Sequence, residues 1–165
     1  MGISANTWVL RGKVFLWRYR KNSKNYPGWD CTADRVGCLA LIELFGALAG
    51  QSAAVSRTIP VTAPTSGILA VPNNQGGAAP WWSPKKWRIS YDPNSEAADT
   101  WAFPPDVDPA VLSIGASAIP YLTRGVTDAM NGTGDYSIGP RTGNPETSTQ
   151  LWFWWQVHDR TSGDK

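Results

Sequence analysis

The residues that could support catalysis are few and scattered in this 165-residue chain. Its single histidine, His158, precedes Asp159, and triad chemistry there would need a nucleophile brought from elsewhere in the fold. The glycine-rich turn at residues 132–135 follows a predicted helix, whereas a phosphate-binding loop opens one. No G-x-S-x-G, H-E-x-x-H or P-loop motif occurs. The sequence therefore predicts a protein that is not an enzyme.

Candidate metal ligands and thiols also lack the spacing that their chemistry requires. Residues 92–99 place side-chain oxygens at alternating positions, as a calcium loop does, but Ala97 stands where the turn glycine is needed. The only cysteines, Cys31 and Cys38, are seven residues apart in a predicted helix. Helix geometry separates them by about 10 Å, beyond the Cα distance of a disulfide. We therefore predict two reduced, buried thiols, no metal and no cofactor.

A basic and aromatic segment near the N-terminus is a stronger candidate for binding. Six cations precede the first acid: Arg11, Lys13, Arg18, Arg20, Lys21 and Lys24. Aromatic residues alternate among them at positions 15, 17 and 19, and such mixtures bind single-stranded nucleic acid. In a strand, however, the rings share one face while Arg18 and Arg20 share the other. The favoured interpretation is a sheet with a basic outer face, on which Arg18 and Arg20 are candidate binding residues.

Ten tryptophans are the other unusual feature of the composition. Trp152 and Trp154 share one face of the predicted last strand, and its opposite face is also apolar. Either this strand is covered on both sides, or the two indoles form an exposed patch of the kind that marks an interaction site. Trp81 and Trp82 follow Pro80 in a predicted loop that would cover the patch or extend it.

Two helices are predicted. The apolar run at 36–50 predicts a core helix at about 32–49, capped by Asp30 or Thr32 and too short to cross a membrane. Glu43 within it is either a solvent-facing carboxylate or a buried group with a raised pKa. The second helix spans Ser117 to Met130 with Pro120 in its first turn, because one long helix from residue 108 would be broken by that proline.

The remaining signals predict an α+β fold. Strands are expected at 8–20, 57–62, 86–91, 110–115, 135–138 and 151–157, with 57–62 at an edge because it carries Pro60. We expect one globular domain over residues 1–165, ordered at about 7–158. Its architecture is predicted as a mainly antiparallel sheet of five to six strands with two helices on one face.

Three classes of function compete: a protein-binding module such as an inhibitor, neutralising or regulatory partner; a ligand binder with tryptophan platforms for carbohydrate or single-stranded nucleic acid; and an enzyme with unrecognised acidic residues. A net charge of +2 is too small to favour nucleic acid or a membrane. The start of the chain lacks a signal peptide, which favours the cytoplasm. The preferred hypothesis is a module that binds a protein partner through Trp152, Trp154, Trp81, Trp82, Arg18 and Arg20.

Overall fold

Two β-sheets and two long helices organise the chain in a computed structural model, which describes residues 4–20, 26–141 and 144–155. The strands are β1 (Val14–Tyr19), β2 (Trp29–Ala33), β3 (Val55–Pro60), β4 (Trp81–Trp82), β5 (Lys86–Asp92), β6 (Trp101–Ala102), β7 (Ala110–Gly115), β8 (Asp135–Ile138) and β9 (Leu151–Trp154). The helices are α1 (Arg35–Ala49), the short α2 (Ser66–Leu69) and α3 (Ile119–Met130). The first sheet has the strand order β4-β1-β2-β9-β8, and the second has the order β3-β5-β7-β6.

The fold is mixed α and β, as predicted, but the single sheet of five to six strands is wrong because the strands divide between two sheets. In the described ranges, β2 pairs with β9 and β5 pairs with β7 in parallel, and the other strand pairs are antiparallel. The prediction missed β2, β4 and β6, and it placed Trp81 and Trp82 of β4 in a loop. It also placed β3 correctly at an edge, where Pro60 removes no ladder donor.

Helix α1 begins later than predicted because its N-cap is Asp34. The Asp34 carboxylate accepts a hydrogen bond from the Gly37 amide at 2.7 Å. The predicted caps, Asp30 and Thr32, lie instead on β2. Glu43 is exposed, so the solvent-facing alternative for this carboxylate is correct.

The two cysteines do not share a helix, since Cys31 lies on β2 and only Cys38 lies on α1. The helical-spacing argument for their separation is therefore wrong. Both thiols are buried and unbridged. Burial raises the pKa of Cys31 well above its usual value and that of Cys38 to about 12, so both are protonated at neutral pH.

Helix α3 follows a single 3₁₀ turn at residues 116–118 and carries Pro120 in its first turn, as predicted. The helix packs against α1 and against β2 and β9. A glycine permits its close approach to β9: a Cβ built at Gly125 would lie 2.5 Å from Cε2 of the buried Phe153.

The main hydrophobic core contains side chains from both sheets and from both long helices. A stack of three rings joins the sheets. Phe103 lies 4.7 Å from Trp29 of β2 and 5.9 Å from Trp87 of β5, measured between ring centroids, at interplanar angles of 16° and 7°. The Trp29 indole N–H also donates to the Phe103 carbonyl at 3.2 Å. Offset ring stacks of this kind fix the relative position of the elements that carry them.

A second core covers the opposite face of the first sheet. It is formed by Phe15, Trp17, Tyr19, Ile68, Leu69, Ala79 and Trp154, with Tyr26, Val71, Trp81 and Trp152 packed around them. Phe15, Trp17 and Tyr19 lie on β1 and Trp154 lies on β9. Helix α2 and the segment that follows it cover these side chains. Every residue of β1 is buried as a result, on both faces of the strand.

Candidate functional site

The tryptophans of β9 belong to the second core. Trp154 is buried, and its indole N–H donates to Oδ1 of Asp30 at 2.8 Å. Trp152 is half-buried, stacks on Trp154 at a centroid distance of 5.8 Å, and donates to the Pro27 carbonyl at 3.0 Å. Trp81 is half-buried at the margin of the same core. Because Trp154 is covered, Trp152 and Trp154 do not form an exposed pair.

Tyr26 supplies part of this cover. Its ring packs edge-on against Trp152 and Trp154, with centroid distances of 5.4 and 4.9 Å. Its hydroxyl donates to the Pro72 carbonyl at 2.7 Å, which connects it to the segment after α2. The strand preference for aromatic residues predicted the position of β9, but nothing in the sequence indicated that Tyr26 would lie against it.

A carboxylate lies at the base of the second core. Asp30 has no exposed surface, and its Oδ2 has no hydrogen-bond partner among the described residues. Thr32, two positions further along β2 on the same face, likewise has an unpartnered Oγ1. Burial raises the pKa of Asp30 well above its usual value, and the hydrogen bond from Trp154 and the charge of Arg18 offset only part of that shift.

Arg18 is not on a basic outer face, because that side of β1 is buried and only 4% of Arg18 is exposed. Its guanidinium donates to the Ser148 carbonyl at 2.9 Å and to the Glu146 carbonyl at 3.2 Å. It also lies 5.1 Å from the centroid of the Trp29 ring, a cation–π distance. Burial lowers the pKa of Arg18, and the nearby charges of Asp106 and Asp30 oppose that shift. An arginine this buried needs such partners.

Three of the predicted binding residues meet in one cleft of about 470 Å³, which we call the arginine cleft. It is lined by Arg18, Tyr19, Arg20, Trp82, Asp106 and Glu146. Arg20 is exposed, and its guanidinium carbon lies 5.8 Å from the centroid of the Trp82 ring. The Arg20 backbone N–H donates to the Pro80 carbonyl at 2.9 Å, which fixes the end of β1 beside β4.

The pairing of β4 with β1 explains why adjacent tryptophans have different surroundings. Trp82 pairs with Arg18 and Trp81 pairs with Tyr19, so their side chains point to opposite faces of the sheet. Trp82 packs against the main core beside the arginine cleft, whereas Trp81 packs against the second core. The six predicted residues therefore divide into Arg18, Arg20 and Trp82 at the cleft, and Trp81, Trp152 and Trp154 at the second core.

Sequence reasoning missed the two acids of the cleft. Asp106 lies in a loop with positive φ (58°), and Glu146 lies in a 3₁₀ turn at residues 145–147. Neither belongs to a periodic segment, and both are far from β1 in sequence. Only the tertiary fold brings these two acids beside the cations of the cleft, so nothing in the local sequence distinguishes them from other loop carboxylates.

The oxygen-rich segment at residues 92–99 forms a turn and a helix-capping contact. The carboxylates of Asp92 and Asp99 accept hydrogen bonds from the Asn94 amide and the Ser117 hydroxyl, as turn and cap residues do. Among the described residues there is no group of three or more metal-ligating side chains. No helix in the same ranges has the length and apolar character to cross a membrane. His158 lies outside the described residues.

Comparisons with protein family models, with curated proteins and with solved structures found no match to this chain. Its function is therefore inferred from its residues and their geometry.

Proposed function

We propose that this protein is a non-catalytic binding module that holds a segment of a partner protein in the arginine cleft. The observation that carries the proposal is the position of Arg18, a nearly buried arginine held by two backbone carbonyls and a tryptophan ring at the wall of a cleft. Arginine, tryptophan and tyrosine are the residues most enriched at binding hot spots. A guanidinium that is already ordered loses little side-chain entropy when a partner binds.

Arg20 and Trp82 indicate the chemistry of the partner. Arg20 is exposed and rests over the Trp82 ring, so it offers a charged donor beside an aromatic surface. A partner segment with a carboxylate next to an apolar side chain would satisfy both groups. Asp106 and Glu146 line the same cleft, so it holds two cations and two carboxylates and lacks the row of cations that a phosphodiester backbone requires. The cleft thus favours a protein partner over nucleic acid.

An inhibitory, neutralising or regulatory role follows from this mode of action, because the protein would act by occupying its partner. The proposal includes a cytoplasmic location, where buried thiols such as Cys31 and Cys38 remain reduced.

Affinity capture with charge-reversed variants tests the proposal. The wild type, Arg20→Glu and Arg88→Glu would be immobilised and exposed to extract from the source organism, and retained proteins would be quantified by mass spectrometry. Arg88 is an exposed arginine on β5 of the second sheet, so it is the matched control. We expect a protein retained by the wild type and Arg88→Glu and lost with Arg20→Glu. A retained protein that binds all three equally would contradict the arginine cleft as the binding surface.

A further inference from the structure

A second and larger cleft, of about 750 Å³, lies between α3 and the strands β6 and β8. It is lined in part by Trp101, Tyr121, Arg124, Asp128, Tyr136 and Gly139, and we call it the tyrosine cleft. It shares no lining residue with the arginine cleft. Its volume is within the range of protein pockets that hold small organic ligands.

The aromatic rings of the tyrosine cleft are fixed by hydrogen bonds. The Trp101 indole N–H donates to the Thr149 carbonyl at 2.8 Å, and the Tyr136 hydroxyl donates to Oδ2 of Asp128 at 2.7 Å. Tyr121, in contrast, is 59% exposed, a large aromatic surface left open to solvent on α3. The cleft therefore presents ordered rings with one ring accessible at its edge.

The backbone beside Trp101 is adapted to this arrangement. Gly139 follows β8 with a φ of 99°, and a Cβ built there would lie 2.7 Å from Nε1 of Trp101. A side chain at this position would press on the indole and strain the backbone. The glycine allows the chain to pass close to the ring while leaving the cleft open.

The charged groups of the cleft balance each other. Arg124 is exposed, and Asp128 lies one helical turn later, half-buried beneath the Tyr136 hydroxyl. Burial, with the hydrogen bond to Asp128, raises the pKa of Tyr136, so its hydroxyl stays neutral at neutral pH. One cation, one carboxylate and neutral hydroxyls suit a ligand with many hydrogen-bonding groups and no net charge.

We propose that the tyrosine cleft binds a neutral carbohydrate. A sugar ring has an apolar face of C–H groups that can pack on the exposed ring of Tyr121, and hydroxyls that can donate to Asp128 and accept from Arg124. A sulfated or sialylated glycan would meet the Asp128 carboxylate. A nucleic-acid strand would need a series of cations along the cleft, and Arg124 is the one cation in its described lining.

A glycan array that contains neutral, sialylated and sulfated oligosaccharides tests this proposal on the full-length protein. We expect binding to neutral glycans, and the strongest neutral oligosaccharide would then be titrated by calorimetry. Tyr121→Ala should weaken its affinity by at least about tenfold, which corresponds to about 1.4 kcal/mol. Leu39→Ala is the matched control, since Leu39 is a large apolar residue exposed on α1, and it should leave the affinity unchanged.

Tyr136→Phe provides a second variant that keeps the ring and removes the hydrogen bond to Asp128. It should weaken the same titration without lowering the melting temperature by more than a few degrees, because it keeps the ring contacts and removes only one hydrogen bond of a half-buried pair. An array without signal on neutral glycans overturns the proposal, as does binding confined to charged glycans. Equal affinity of Tyr121→Ala and the wild type overturns it as well.

Discussion

The two sheets of this protein differ in how many of their faces are covered. In the first sheet, β1 is buried along its whole length, between the main core and the second core. In the second sheet, β5 alternates between buried and more exposed positions, and its outer face carries polar contacts such as Ser56 to Ser90 at 2.8 Å between hydroxyl oxygens. Because both of its faces are covered, the first sheet carries many of the tryptophans. Arg18 is buried at the place where this cover ends, beside the arginine cleft.

The largest effect is expected where the two sheets are joined. Phe103 is fully buried between Trp29 and Trp87, so Phe103→Ala removes ring contacts to both sheets at once. We expect the free energy of unfolding to fall by about 3 to 5 kcal/mol in urea denaturation. Thr58→Ala, at an exposed position of β3, should change it by less than about 0.5 kcal/mol. Similar losses in both variants would contradict the assignment of the ring stack as the joint between sheets.

The second core should make the stability of this protein depend on pH through Asp30. The pKa of Asp30 is raised in the folded state, so its cost to folding is absent below about pH 4, near the unfolded pKa. The cost then grows as pH rises toward the folded pKa. Asp30→Asn keeps an oxygen that can accept from Trp154 and removes the charge. We expect the variant to gain stability relative to the wild type as pH increases above about 4.

Thermal unfolding across a pH series measures this difference, with Glu43→Gln as the control because Glu43 is exposed on α1. The control curve should run parallel to that of the wild type. If the Asp30→Asn curve also runs parallel above about pH 4, the carboxylate is not buried as described.

The contrast between the sheets also explains how much of the fold the sequence predicts. Residues 86–91 and 110–115 were predicted correctly as strands, because β5 and β7 have β-branched and apolar residues bounded by clear turn signals. The short strand β2 has five buried residues on two covered faces, including Asp30 and Thr32, so it shows no alternation. The sequence therefore predicts a loop and the start of α1 at these positions. Division into two sheets depends on long-range pairing, which local patterns do not encode.

Two helical glycines provide a smaller test of how closely α3 approaches the first sheet. Glycine is less favourable than alanine inside a helix by about 0.5 to 1 kcal/mol. Gly46 on α1 is exposed and has no atom within 4 Å of a built Cβ, so Gly46→Ala should stabilise the protein by about that amount. Gly125→Ala should instead destabilise it by about 1 to 3 kcal/mol, because its Cβ would enter the Phe153 ring.

Urea denaturation should show a higher free energy of unfolding than the wild type for Gly46→Ala and a lower one for Gly125→Ala, if α3 packs on β9 as closely as described. A stabilised Gly125→Ala variant would show that Phe153 has room to move.

The candidate site was predicted only in part, for a related physical reason. Residue type identified Arg18, Arg20 and Trp82, because arginine and tryptophan recur at binding surfaces whatever the fold. Strand periodicity placed Arg18 and Arg20 on one face of β1, but it could not show that Arg18 is buried on that face whereas Arg20, just after the strand, is exposed. Asp106 and Glu146 complete the arginine cleft from distant loops, and their position depends on tertiary packing alone.

Hydrogen–deuterium exchange of the protein with its captured partner tests the proposed function most directly, because it reports which sheet the partner covers. We expect slower exchange in the complex for peptides that contain β4 and residues 104–107, beside Arg20 and Trp82, and unchanged exchange in β3 and β5 on the open face of the second sheet. Protection confined to β3 and β5, with the arginine cleft unaffected, would contradict the proposal.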